Sequence, residues 1–390
     1  MYKKIFQIVL CLFVCIFGLN GCIPFIKSKP SSTALLIKGS VKNSPLRHYI
    51  KDVPAVMQKG NLCGPAALSS VFRYYNVNIS QEEIAKDIYL IPIHGVLNID
   101  LENYARDKGF WTYVSYEKNL SNLKENIRNN IPTLVLARSQ SYVPFKKTYH
   151  YMVLIGYEDE EKAFIAHSGK KADSIVPYKN FIKDWEQAEY WSLAACPKEK
   201  VTWDLDAQGY NNLGLLLEKE GKLDLAIEEY KNSLKKEKRP DTLFNLGNVY
   251  LKKKENKKAI TCYKYAVKLN PEFADGYNNL AYTYMEENQD LDEAISYARK
   301  ALELKPSNKV YYLDTLGMIQ FKKGLLQEAV KSFQEASELS ADKKMSSLIY
   351  YHLGLTKLKL GLLNEAKETF KKSVELDPHS HAKEALKGIL

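Results

Sequence analysis

The sequence predicts two folded parts in series, an α+β domain followed by an all-α solenoid of helical repeats. Three observations carry this. Helix-like segments give way to closely spaced, β-branched or aromatic segments between Pro45 and Pro197. A Leu-small dipeptide then recurs five times at near-constant spacing. A chain of 390 residues also leaves room for two or three domains. With 45% apolar and 26% charged residues, and only 19 Gly and 14 Pro, the chain is neither wholly disordered nor collagen-like. The net charge of +10 is spread thinly, without a block of like charges, and reads as a solvated Lys-rich surface. Nucleic acid is therefore not an expected partner, whereas the excess suits an anionic membrane surface.

The amino terminus reads as an address. Lys3 and Lys4 precede an apolar stretch from Ile5 to Leu19, which is short for a spanning helix and ends in Leu19-Asn20-Gly21-Cys22. This ending resembles the lipobox of bacterial lipoproteins, although Asn20 is less usual at its position. The resemblance implies a signal peptide over 1–21, lipidation of Cys22, a membrane lipid anchor and a cell-envelope location. Residues 22–45, with Lys-Pro-Ser-Ser-Thr near the middle, read as a tether. Of the six cysteines, Cys11 and Cys15 leave with the signal. The remaining four form no disulfide framework, and Cys196 and Cys262 read as small buried residues. No CxxC pair or HExxH helix is present, so no metal or other cofactor is expected.

The domain over 46–198 carries the chemistry. Cys63 to Tyr75 reads as a helix with Pro65 in its first turn. Ser80-Gln81-Glu82-Glu83 is a capping box opening a second helix. Asn98–Lys108 and Leu120–Asn130 read as helices. Trp111–Tyr116, Pro132–Arg138, Thr148–Tyr157, Lys162–Ala166 and Tyr190–Ala195 read as strands, with a hairpin turn at Glu158–Glu161. Trp185 and Trp191 read as core, and His48 and His94 as ordinary partly exposed residues.

The key constellation is Gln58, Cys63-Gly64-Pro65-Ala66-Ala67, and His150 within Tyr149-His150-Tyr151-Met152-Val153-Leu154-Ile155-Gly156-Tyr157. A thiol attacks as its thiolate, whose formation is favoured at a helix N-terminus and beside an imidazolium. Cys63 is placed to open a helix, His150 to reach it from a strand, and Gln58 to donate to an oxyanion together with the Cys63 backbone N–H. The other reading of Cys63 is a buried structural thiol.

This order resembles papain-like cysteine peptidases, in particular the bacteriocin-processing or double-glycine leader peptidases of family thirty-nine. The resemblance spans roughly Val53 to Ala195. It implies a papain-like fold, with Cys63 as nucleophile, His150 as general base and acid, and Gln58 as oxyanion donor. One position departs from the family. Where an Asp or Asn should follow the His strand, the chain reads His167-Ser168-Gly169. His167 is then the candidate to orient His150, without the charge a carboxylate would offer an imidazolium. Asp173 and Asp159 are the nearest carboxylates in sequence.

The domain over 199–390 repeats Leu213-Gly214, Leu246-Gly247, Leu280-Ala281, Leu316-Gly317 and Leu353-Gly354, at steps of 33, 34, 36 and 37 residues. Ala226, Ala259, Ala294, Ala329 and Ala366 follow 12 or 13 residues after the small residue. Tyr230, Tyr263, Phe333 and Phe370 sit four residues beyond four of these, and Pro271, Pro306 and Pro378 close three units. The pattern resembles the tetratricopeptide repeat, in which small residues let paired helices approach and aromatics fill the space between them. The segment from His379 reads as a capping helix. Asn212, Asn245 and Asn279 recur just before the Leu, with the register broken at Thr315 and His352. In that family such an Asn can bind the backbone of an extended peptide; alternatively it is only a tolerated polar residue on an exposed face.

The sequence thus points to a membrane-anchored cysteine peptidase, hydrolysing a peptide or protein substrate through a thioester, with repeats that recruit a protein partner. The alternatives are a non-catalytic envelope scaffold that only binds peptide, or a related amide hydrolase.

Overall fold

The computed structural model describes residues 45–139, 148–304 and 307–389. The signal stretch, Cys22, nearly all of the tether and Pro306 lie outside the described residues. The chain divides into two compact units, with the boundary between Lys200 and Val201.

The first unit holds an antiparallel seven-stranded sheet. Its strands are β1 (Arg47–Tyr49), β2 (Phe110–Ser115), β3 (Thr133–Ser139), β4 (Thr148–Glu158), β5 (Ala163–Ser168), β6 (Lys171–Pro177) and β7 (Ser192–Pro197). The order is β2-β7-β3-β4-β5-β6, with β1 pairing along β4. Helices α1 (Cys63–Tyr74), α2 (Gln81–Ile88), α3 (Asn98–Asp107), α4 (Leu120–Arg128) and α5 (Tyr178–Glu186) complete the unit. The α+β class and the elements expected from the sequence are present, with ends shifted by one or two residues. The helix α1 is buried from Gly64 to Phe72 and packs on β4. Ser80 and Glu83 form the expected capping box at the start of α2, each side chain meeting the other's backbone N–H.

Three elements went unread: β1, β6 and α5. The β6 residues are mostly exposed, with Ile175 at 74%, so no run of apolar residues announces the strand. Its hydrogen bonds to β5 hold it. Phe181 and Trp185 of α5 are buried with Trp191 in the core, where the Trp185 indole N–H donates to the Trp191 carbonyl at 2.8 Å.

The second unit is a solenoid of paired helices: α6 (Ala207–Lys219) with α7 (Leu223–Lys236), α8 (Pro240–Lys252) with α9 (Asn256–Leu269), α10 (Ala274–Glu286) with α11 (Leu291–Glu303), α12 (Lys309–Lys323) with α13 (Leu326–Leu339), and α14 (Lys343–Lys359) with α15 (Leu363–Leu376). A short α16 (Ala382–Lys387) covers the last face, burying Ala382 against Ala366 and Phe370.

The spacing of small residues and aromatics becomes a set of interlocks. A Cβ at Gly214 or Gly247 would lie 2.6 Å from the ring of Tyr230 or Tyr263. At Gly317 it would meet Phe333 at 2.6 Å, and at Gly354 it would meet Phe370 at 2.5 Å. The helices therefore approach over a bare Cα, with the aromatic ring laid across it. The third unit solves the same problem differently: Ala281 replaces the Gly and Ala298 replaces the aromatic, both fully buried in one core.

Candidate active site

Cys63 is the first residue of α1, and Leu62 before it offers no side-chain cap. The free amides of the first turn are thus available to a ligand or to the thiol. The backbone N–H groups of Tyr151, Gly64 and Cys63 itself favour the Cys63 thiolate. Burial nonetheless pushes the thiol above its ordinary value, and the three amides only moderate the rise. Glycine is needed after Cys63 because a Cβ at residue 64 would lie 2.5 Å from Val96 and 3.1 Å from the Tyr151 ring. Tyr151 is itself pinned, its hydroxyl donating to Asn98 Oδ1 at 2.5 Å.

Gln58 enters the same crevice as Cys63, Tyr151, His167, Ser168 and Gly169. Its backbone N–H donates to the Gly169 carbonyl at 3.1 Å, and its Nε2 donates to the Gly60 carbonyl at 2.8 Å. Its Oε1 is buried with no hydrogen-bond partner. Gly169 has φ +62, and a Cβ there would lie 3.4 Å from Gln58 Oε1 and 3.4 and 3.5 Å from His150 Cε1 and Nε2. These are ordinary contact distances, so it is the left-handed backbone that calls for glycine here. The Gln58 amide and the His150 imidazole converge over this one glycine. Burial lowers the proton affinity of the half-buried His150. Among the described residues, no hydrogen bond joins the His150 ring to the Cys63 thiol. Burial disfavours the charged form of each group, which runs against the expectation of a thiolate held by an imidazolium.

His167 does not orient His150. It is 8% exposed, and both ring nitrogens are taken by backbone. Nε2 meets the Val53 carbonyl at 2.8 Å, and Nδ1 accepts the Asp173 N–H at 3.3 Å. A carbonyl only accepts and an amide N–H only donates, so these partners assign the neutral Nε2–H form. His167 ties the loop at Val53 to the turn after β5. The expectation fails because β5 pairs His167 with Val153, three residues along β4 from His150. Asp173 faces away from His150 too: its carboxylate accepts the Tyr49 hydroxyl at 3.0 Å and lies 3.8 Å from His167 Nδ1. Asp159 binds Tyr178 and Lys124.

The repeat asparagines differ from expectation in exposure. Asn212 is buried, at 4% exposed, and accepts from Gln208 at 2.8 Å. Asn245 and Asn279 are half-buried and bridge neighbouring units, donating to Asn211 at 3.1 Å and to Asn248 at 2.9 Å. The sequence reading missed Asn211 and Asn248, and in the first unit Tyr151, Gly169 and Gln81. The glycine alone carried a signal, since His-Ser-Gly ends a strand where the family continues differently. Where the register breaks, His352 Nδ1 meets the buried Asp314 at 2.8 Å. Among the described residues, no cluster of His, Cys, Asp and Glu could hold a metal ion, and no helix is long and apolar enough to cross a membrane.

Comparison with known proteins agrees with this division. The family model described as "Peptidase_C39 like family" matches residues 50–193. "Tetratricopeptide repeat" matches 207–235, 274–308, 310–343 and 348–380, and "TPR repeat" matches 247–288. Among curated proteins, a UDP-N-acetylglucosamine--peptide N-acetylglucosaminyltransferase of Giardia intestinalis is 33% identical over 34% of this chain, which spans only 9% of that relative's length. The photosystem I assembly protein Ycf3 of Rippkaea orientalis is 27% identical over 26% of this chain and 68% of its own. Among solved structures, YrrB, a TPR protein with an unusual peptide-binding site, is 24% identical with a TM-score of 0.40, covering 47% of this chain and 92% of YrrB. The MamA protein is 26% identical with a TM-score of 0.39, covering 44% and 92%. The chain thus joins a Peptidase_C39-like domain over residues 50–193 to an array of tetratricopeptide repeats over residues 207–380.

Proposed function

We propose that the first domain is a cysteine peptidase that works from a neutral Cys–His pair. The observation that carries this is that Cys63 and Gln58 line one crevice with Gly169, and that the Gln58 amide and the His150 imidazole both approach that glycine. In this reading His150 takes the thiol proton as Cys63 attacks the scissile carbonyl, so charge separates during the reaction and is not stored beforehand. The Gln58 Nε2 donates one hydrogen to Gly60 and keeps the second for the oxyanion. His150 returns the proton to the leaving amine, and water then hydrolyses the thioester. The test is hydrolysis of peptides by the full chain: Cys63→Ala should abolish it while leaving the fold intact.

A second reading is peptide binding without cleavage. It is favoured by the raised Cys63 thiol and by His167, whose bonds to backbone occupy the place of the family's carboxylate. Peptide bound but not hydrolysed by the native chain selects it, whereas hydrolysis retained by Cys63→Ala would refute Cys63 as the attacking group.

The repeats serve in either case as a protein- or peptide-binding surface, with Asn212, Asn245 and Asn279 as candidate contacts. Because Asn245 and Asn279 bridge units, replacing all three by Ala should lower stability as well as peptide capture. Each lost hydrogen bond costs about 1 kcal/mol. Unaltered capture by a folded triple variant would remove these residues from the binding surface.

The membrane anchor rests on the Cys22 motif alone. Cys22→Ala should release the protein from membranes or leave an unprocessed precursor; unchanged membrane attachment and mature mass would refute it.

A further inference from the structure

Gln81 is the first residue of α2 and is 4% exposed. Its side chain makes two hydrogen bonds, both to the backbone on either side of Gln58. Nε2 donates to the Met57 carbonyl at 2.9 Å, and Oε1 accepts the Lys59 N–H at 2.9 Å. The amide thus grips the loop as a neighbouring strand would, one residue before Gln58 and one after. Between these two points the Gln58 N–H is held by the Gly169 carbonyl at 3.1 Å. Three successive residues of the loop are tied down, and the Gln58 side chain faces the crevice, its Nε2 on the Gly60 carbonyl and its Oε1 buried without a partner. Lys59 also pairs with Glu82 at 2.6 Å, but these side chains are 74% and 48% exposed, and such a pair holds a loop weakly.

The geometry assigns Gln81 as the positioning residue of Gln58. This rests on the reading of Gln58 as oxyanion donor. A donor serves a tetrahedral intermediate only when it is placed to within about half an ångström, and misplacement by about 1 Å costs on the order of a hundredfold. The Met57–Lys59 loop has no regular secondary structure to fix it. A buried amide on the first turn of a capped helix supplies that precision. Ser80 and Glu83 therefore do more than stabilise α2, since the cap fixes the point from which Gln81 reaches out.

The test separates oxyanion-dependent from oxyanion-independent chemistry at Cys63. A small aldehyde, N-acetylglycinal, forms a thiohemiacetal in which the Cys63 sulfur bonds to the carbonyl carbon and its oxygen becomes a hydroxyl or oxyanion facing Gln58. Iodoacetamide alkylates the same sulfur without forming an oxyanion. Aldehyde affinity is read on the full chain as protection of Cys63 from iodoacetamide, by mass spectrometry. Gln81→Ala should weaken aldehyde binding about ten- to a hundredfold. Alkylation without aldehyde should stay within about twofold. Gln81→Met, which keeps the volume, should behave alike, and it replaces the Ala variant should that one fail to fold. In a Gln58→Ala background, Gln81→Ala should add no further loss. A full additional loss there, or equal losses in aldehyde binding and alkylation, would make Gln81 a structural residue only and overturn the assignment. If Gln58→Ala itself leaves aldehyde binding unchanged, or the native chain is not protected at all, the oxyanion reading fails and the assignment falls with it.

Discussion

Cys63→Ala should lower peptide hydrolysis by about 10⁴-fold or more, as loss of an attacking residue does in enzymes of this logic. The pH dependence should distinguish the neutral pair from a stored ion pair. Burial lowers His150, so the imidazole stays unprotonated to a lower pH than the ordinary value of about 6.5. The acid limb of kcat/KM should therefore fall below that pH. Burial raises Cys63, so its thiolate forms only above the pH expected of a free thiol, about 8.5. Iodoacetamide should accordingly alkylate Cys63 more slowly at neutral pH than it does free cysteine. His150→Ala should abolish hydrolysis yet leave the onset of alkylation nearly where it was. His167→Ala should leave that onset alone as well, while lowering stability, because it strands the Val53 carbonyl and the Asp173 N–H. The same shifts act on folding. The unfolded chain binds more protons than the native one where free His titrates, so the His150 contribution is lost as pH falls through that range. Alkylation setting in well below pH 8.5, and moving upward in His150→Ala, would establish a preformed ion pair and refute the neutral mechanism.

Gly354→Ala should destabilise the repeat array by up to about 2 kcal/mol. Alanine gains about 1 kcal/mol over glycine in a helix interior. The added Cβ, however, would sit 2.5 Å and 2.6 Å from two atoms of the fully buried Phe370 ring, and overpacking of this kind costs about 1–3 kcal/mol. Phe370→Ala alone should cost about 3–5 kcal/mol by leaving a cavity. Combined, the two changes reproduce the Ala281 and Ala298 arrangement of the third unit. The double variant should therefore be more stable than the sum of the single effects by about 1–2 kcal/mol, read as a double-mutant cycle in urea. Additive losses would mean that the helices shift to accept the Cβ and that the interlock is not a constraint.

The repeat unit was legible because its information is periodic. Each small residue and its aromatic partner lie a fixed distance apart in sequence, and nearest-neighbour packing turns that spacing directly into contact. The register break at Thr315 and His352 was also visible, but its content was not: the buried Asp314 paired with His352 lies 38 residues away, in the preceding unit. The asparagines show the same limit. Their recurrence before the Leu could be read, whereas the bonds of Asn245 to Asn211 and of Asn279 to Asn248 depend on how one unit stacks on the next.

In the first domain the sequence by itself determined the helix that opens at Cys63, the capping box at Ser80, the strand of His150 and the family to which they point. Local hydrogen bonding and side-chain periodicity suffice for such elements. Tertiary structure alone decided the partners of each titratable group. The chain order His167-Ser168-Gly169 suggested a histidine orienting a histidine; the pairing of β4 with β5 sends His167 to the Val53 carbonyl instead. Cys63 stands at a helix terminus, which favours a thiolate, but burial outweighs the three amides that favour the same form. Gln81 looked like one letter of a helix cap, and only the return of the Met57–Lys59 loop across α2 makes it the anchor of Gln58. Burial and long-range hydrogen bonds depend on the chain meeting itself across tens of residues, and no short window of sequence contains that meeting.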